Sequence, residues 1–205
     1  MNYLEFRNLL QNFVVFSIND IRKQLPEFDS RRLVEWQAKG YVKKFINRWY
    51  CFSDRANNED FHYLAANRIY SPSYVSFETA LSHYQLIPET VYMTTSATSL
   101  KTNEFKTEMG VFSYRHMKPS LLFGYRLVES GEHRIKIAEL EKTILDYFYL
   151  NEKINTDEAF AGMRINKDAL MTQLNSKRMN NYLKEYSNKA LERRINRFIQ
   201  FMKHA

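Results

Sequence analysis

Three helical runs and an aromatic hairpin succeed one another inside the first 55 residues. This order constrains the fold more than any other feature of the chain. Asn2 is placed to cap a first helix reaching about Asn12, with Leu4, Phe6, Leu9, Leu10 and Phe13 as its apolar stripe. Residues 14–16 read as a short extended piece. Ser17 caps a helix over 18–25, Asp20 supplies acidity in its first turn, and Pro26 prevents its extension. Asp29 or Ser30 caps a third helix that ends at Gly40. Leu33, Trp36 and Gln37 share one side of it, and Arg31, Arg32, Glu35 and Lys39 fall on the other. Residues 41–46 and 49–52 read as two strands joined at Asn47-Arg48.

Helix–helix–helix–hairpin is the order of a winged helix-turn-helix, whose third helix enters a major groove about 12 Å wide. Arginine suits that position because its planar fork matches both guanine and phosphate oxygens. The candidate DNA-facing set is therefore Ser30, Arg31, Arg32, Glu35 and Lys39 on the third helix, with Lys43, Lys44 and Arg48 on the hairpin. The alternative is a winged helix used only for protein contact. Trp36 and Trp49 read as core residues rather than base-stacking groups.

Charge divides along the chain. The net charge is +7, with 10 Lys/Arg against 6 Asp/Glu in residues 1–55, 12 against 15 in 56–176, and 8 against 2 in 177–205. Two basic ends flank an acidic middle, as expected if an end meets phosphate; solvated surface accounts for it equally well. Only 5 glycines and 4 prolines occur, which argues against a fold built on Gly-rich phosphate loops. Cys51 is the sole cysteine, so no intrachain disulfide or cysteine-based zinc site forms, and its place among strand aromatics predicts burial and inertness. The apolar runs are too short to span a bilayer and the first residues lack a signal-peptide plan, so a cytoplasmic protein without membrane association is expected.

The polar stretch over 53–60 marks the expected boundary between a DNA-binding unit, 1–55, and a second unit, 56–205. In the second unit, 61–69 reads as a helix and Ser76 caps another reaching about Tyr84. Residues 91–98 form a strand, and 105–109, 111–117 and 121–127 are antiparallel strands. A further strand covers 134–137, and a helix covers 138–150. The remainder is helical, with Leu191, Ile195, Phe198, Ile199 and Met202 on one stripe. The fold class is α+β.

No catalytic arrangement stands out. The five histidines share no metal-ligand spacing, and HExxH, Walker loop and nucleophile elbow are missing from the sequence. Glu139, Glu141, Lys142 and Asp146 form the densest ionic cluster. They read either as a nuclease-like acid/lysine site or, preferred, as a helix N-terminus with an i, i+4 pair. Convergence in an open cleft would favour the former. Near the C-terminus Lys189, Arg193 and Arg197 share a helix face with Arg194 beside them, a candidate surface for an acidic or nucleic-acid partner or plain solvated charge.

The middle segment carries a resemblance. Tyr70-Ser-Pro-Ser-Tyr-Val-Ser-Phe-Glu-Thr-Ala-Leu-Ser-His-Tyr-Gln-Leu-Ile-Pro-Glu89, Val91-Tyr-Met-Thr-Thr-Ser, Gly110-Val-Phe-Ser-Tyr-Arg-His116, Phe123-Gly-Tyr125 and Ile137-Ala-Glu-Leu-Glu-Lys-Thr-Ile-Leu-Asp146 resemble, in order and spacing, the AbiEi family of abortive-infection antitoxins. The resemblance implies a bacterial two-domain, non-enzymatic type IV antitoxin without cofactor or metal. Its winged helix would bind double-stranded operator DNA and repress its own operon. Its second domain would neutralise a nucleotidyltransferase-type toxin, with no stable complex required. The hairpin departs from the family, carrying Asn47-Arg48-Trp49 where an Arg-Gly turn is common. A winged-helix-targeted enzyme or degenerate nuclease, and a plain repressor without toxin partner, are the alternatives.

Overall fold

The computed structural model describes residues 1–57, 60–88 and 92–204. Part of the expected boundary, Asn58 and Glu59, lies outside the described residues, as do Glu89 and Val91 of the resembling segments. The chain is α+β, with ten α-helices and two sheets among the described residues.

The N-terminal unit runs α1 (Tyr3–Leu10), β1 (Phe16–Ser17), α2 (Ile18–Gln24), α3 (Arg31–Ala38), β2 (Val42–Ile46) and β3 (Trp49–Phe52). Both of the first helices begin in capping boxes. The Asn2 side chain accepts from the Glu5 N–H while Glu5 accepts from the Asn2 N–H, and Ser17 and Asp20 repeat the exchange. The three strands form an antiparallel sheet in the order β1-β3-β2, pairing Phe16 with Tyr50 and Val42 with Phe52. Phe6, Leu10, Phe16, Ile21, Leu33, Trp36, Val42 and Phe52 fill the space between sheet and helices. The expected stripe of α1 is corrected here: Leu4 and Leu9 are 67% and 45% exposed, because only the Phe6/Leu10 edge of this short helix faces the sheet.

A one-turn 3₁₀ segment (Ser53–Asn57) leads into the larger unit. Its elements are α4 (Phe61–Ile69), β4 (Ser73–Val75), α5 (Phe77–His83), β5 (Met93–Thr98), β6 (Asn103–Thr107), β7 (Gly110–His116), β8 (Tyr125–Ser130), β9 (His133–Ala138), α6 (Leu140–Leu150), α7 (Asp157–Gly162), α8 (Lys167–Gln173), α9 (Ser176–Tyr186) and α10 (Lys189–His204). The sheet order is β6-β7-β5-β4-β9-β8. It is mixed rather than antiparallel throughout, since β5 pairs β7 and β4 pairs β9 in parallel. The strand expected over 121–127 begins instead at Tyr125. Residues Pro119–Leu121 make a 3₁₀ turn, and β8 takes its register from β9, pairing Tyr125 with Ala138 and Ser130 with His133.

Alternation of side chains sends each strand's residues to two cores. One face lies under α4, where Phe61, Ala65 and Ile69 meet Val75, Phe112, Tyr114 and Ile137. The other lies under α5 and α6, closed by α7–α10, with Tyr74, Phe77, Ala97, Ile144, Phe148, Leu191, Ile195 and Phe198 inside. The N-terminal unit joins the first of these cores. Phe45 meets the rings of Phe61 and Phe112 at 5.7 and 5.1 Å, and Val14, Val15 and Cys51 are buried in the same cluster. Apolar packing therefore continues across residues 55 and 56. Cys51 is fully buried, and that burial pushes its thiol up to about 12. No helix among the described residues is long and apolar enough to cross a membrane.

Candidate nucleic-acid interface and a closed ionic cluster

α3 is amphipathic in the way its sequence dictates. Leu33 and Trp36 are buried against Phe6 and Phe28, while Arg31, Arg32, Glu35 and Lys39 are exposed. Its start is not capped by Ser30, whose side chain makes no cap bond. Asp29 does this instead, its Oδ1 accepting from the Arg31 N–H at 3.0 Å. Asp29 also accepts from the Arg31 guanidinium, through Nε at 3.1 Å and Nη2 at 2.9 Å. These bonds hold its carboxyl below the ordinary range. Arg31 is nonetheless 90% exposed in its side chain. Lys39 pairs with Glu35 at 2.6 Å one turn away, which lowers the Glu35 carboxyl and raises the Lys39 ammonium. Arg32 is exposed beside them.

The β2–β3 hairpin packs next to α3 and carries Lys43, Lys44 and Arg48, all exposed. Arg48 turns the chain with φ +65°, in the left-handed region where glycine is at ease. Val34 and Ala38 are also exposed on α3; the sequence reading weighed only the charged residues of that face.

The second cluster keeps the i, i+4 pair of the preferred reading but buries it, which neither reading described. Glu141, Lys142 and Asp146 are each 1% exposed or less, but only Lys142 and Asp146 meet, while Glu141 faces Asn175 and Arg178. Lys142 and Asp146 form an i, i+4 ion pair inside the core. Asp146 Oδ2 accepts from Tyr74 Oη at 2.9 Å and from Ser76 Oγ at 2.8 Å, and its Oδ1 accepts from Tyr186 Oη at 2.5 Å. The Lys142 ammonium also donates to Tyr186 Oη at 2.8 Å and lies 5.0 to 5.4 Å from the ring centres of Tyr186, Phe123 and Tyr74. Ser76 thus heads α5 without capping it, because its hydroxyl is turned to Asp146. α9 completes the set: the Asn175 N–H donates to Glu141 at 2.7 Å, Tyr182 donates to Glu139 at 2.6 Å, and Arg178 reaches Glu139 at 3.2 Å. Asn175, Arg178, Tyr182 and Tyr186 are spaced along one face of α9, so a polar seam docks this helix on α6. Among the described residues Lys142 and Asp146 are 0% exposed, so neither side chain opens to solvent.

The four C-terminal bases separate. Lys189 and Arg193 are exposed. Arg194 turns inward, donating to the Phe148 carbonyl at 3.0 Å. Arg197 bridges to α7, meeting Asp157 at 2.9 Å and the Asn155 carbonyl at 2.9 Å.

The chain matches no protein-family model and no curated protein.

Proposed function

We propose that the chain is a cytoplasmic DNA-binding antitoxin of the AbiEi type, an autorepressor whose second unit counters a nucleotidyltransferase-type toxin without catalysing a reaction itself. In this reading residues 1–55 are a winged helix, α2 and α3 its turn unit, α3 the recognition helix, and the β2–β3 hairpin the wing. One observation carries it: α3 buries Leu33 and Trp36 and turns Arg31, Arg32 and Lys39 to solvent, beside a hairpin bearing exposed Lys43, Lys44 and Arg48. A helix so placed offers forked donors to guanine edges and phosphates. The resemblance over residues 70–150 supports the antitoxin part. The closed Lys142–Asp146 pair favours a structural role for that cluster over a nuclease site.

The test is binding to the duplex upstream of its own reading frame, measured by fluorescence anisotropy. Arg31→Ala with Arg32→Ala should weaken binding roughly tenfold or more at physiological salt. Unchanged affinity, with the fold intact by circular dichroism, would overturn the recognition-helix assignment. Co-expression with the toxin from the adjacent reading frame tests neutralisation.

A further inference from the structure

We infer that Val34, with Ala38 one turn on, is an apolar reading edge of α3 that packs against the 5-methyl groups of thymine in the bound duplex. The inference rests on the DNA-binding reading above and gives it a base preference. Val34 is 68% exposed on a helix whose adjoining Leu33 and next residue but one, Trp36, are 1% and 3% exposed. It therefore gains almost nothing from the core. As a β-branched residue it is also a poorer helix former than alanine.

The placement is ordered. Val34 and Ala38, four residues apart, form one edge of the exposed strip. Arg32, Glu35 and Lys39, at i, i+3 and i+7, form the other edge. Arg31 lies between them and is held by Asp29. In a major groove the two edges would address different base features. The charged edge suits guanine acceptors and phosphates, whereas an uncharged β-branched side chain suits the one apolar group displayed there, the thymine methyl. Val34 is the fourth residue of α3, within the N-terminal part of a recognition helix that contacts base edges. A small alanine at 38 lets the helix sit close to the bases without a charge that would need pairing.

Replacing thymine by deoxyuridine removes only this methyl and leaves every hydrogen-bonding group in place. Full-length protein is titrated with the footprinted duplex from upstream of its reading frame, as a series of probes each carrying one such replacement. At one position or more, binding should weaken about fourfold, the effect of one buried methyl. Val34→Ala should bind the unmodified duplex about as weakly as wild type binds the demethylated probe, and should be insensitive to that replacement. Val34→Ala retains helix propensity at an exposed site, so its fold should survive. Wild-type binding that is indifferent to every replacement overturns the inference. So does Val34→Ala that keeps the wild-type sensitivity, or one whose defect tracks self-association. Loss of all sequence-preferring binding in wild type would instead overturn the DNA-binding reading, and the inference with it.

Discussion

The Lys142 ammonium and the Asp146 carboxylate form an ion pair from which water is wholly excluded, both side chains being 0% exposed. Burial alone would disfavour both charges, and it lowers the Lys142 pKa, with Asp146 acting in the opposite sense. Tyr74, Ser76 and Tyr186 all donate to the Asp146 carboxylate, so its oxygens are hydrogen-bonded inside the core.

Removing one partner should therefore be costly. Lys142→Met or Asp146→Leu alone leaves a buried charge uncompensated and should destabilise the fold by about 3–5 kcal/mol. Removing both together should cost clearly less than the sum of the two. Urea unfolding of the two single variants and the double variant measures this. Strict additivity would show that the pair is not coupled.

This pair also shows where sequence reading stops. The caps at Asn2 and Ser17, and the amphipathic split of α3, were legible because each depends on residues within a turn or two. The i, i+4 relation of Lys142 to Asp146 was legible for the same reason. Its burial was not, since the groups that bond Asp146 come from far along the chain, Tyr186 on α9 some 40 positions on and Tyr74 and Ser76 about 70 positions back. Likewise β8 was misplaced because Tyr125 and Leu127 are exposed on an edge strand, where pairing to β9 and not an apolar pattern sets the register. Leu4 and Leu9 misled in the opposite direction. An apolar pattern wider than the buried face gives no sign of which edge will meet the sheet.

Alkaline pH should destabilise the protein. Burial pushes the hydroxyls of Tyr74, Tyr114 and Tyr186 above their ordinary value of 10, so the native state keeps protons that the unfolded chain releases. Above pH 10 the native state then binds more protons, and stability falls as pH rises, by about 1.4 kcal/mol per pH unit for each such group. Lys142 acts in the opposite sense. Its pKa lies below 10.5, so just under that value the unfolded chain holds the extra proton and stability rises with pH. One such group does not offset three. The urea midpoint should drop steeply above pH 10, and Tyr114→Phe should flatten that drop; a midpoint constant to pH 11 would contradict it.

The turn at Arg48 separates stability from binding. Its φ of +65° costs a side chain about 1–2 kcal/mol that glycine does not pay. Arg48→Gly should therefore raise the unfolding midpoint modestly, while removing a base from the hairpin. Weaker DNA binding with a firmer fold is the expected pair of results. Unchanged DNA affinity would remove Arg48 from the interface.

Salt reports how many bases engage. If about four of Arg31, Arg32, Lys39, Lys43, Lys44 and Arg48 meet phosphates, log K should fall against log salt with a slope near −3.6. Lys39 and Arg31 begin paired with Glu35 and Asp29, so engaging DNA means exchanging those partners. Glu35→Gln frees Lys39 and removes a charge that repels phosphate, and should tighten binding. A nearly flat salt plot would show that this basic set does not carry the interaction.

The C-terminal bases can be tested only after they are divided by what they touch. Arg194 donates to the Phe148 carbonyl and Arg197 ties α10 to α7 through Asp157 and Asn155, so reversing either charge disturbs packing as well as surface potential. Arg194→Ala should cost about 1 kcal/mol or more, because it leaves a half-buried carbonyl without its donor. Lys189 and Arg193 are exposed, and reversing both should leave the unfolding free energy within about 0.5 kcal/mol of wild type. If this face meets an acidic or nucleic-acid partner during neutralisation, Lys189→Glu with Arg193→Glu should abolish protection from the co-expressed toxin while upstream-duplex binding persists. Full protection by that variant would return the two residues to solvated surface. Loss of duplex binding would place them on the DNA-facing side of the molecule.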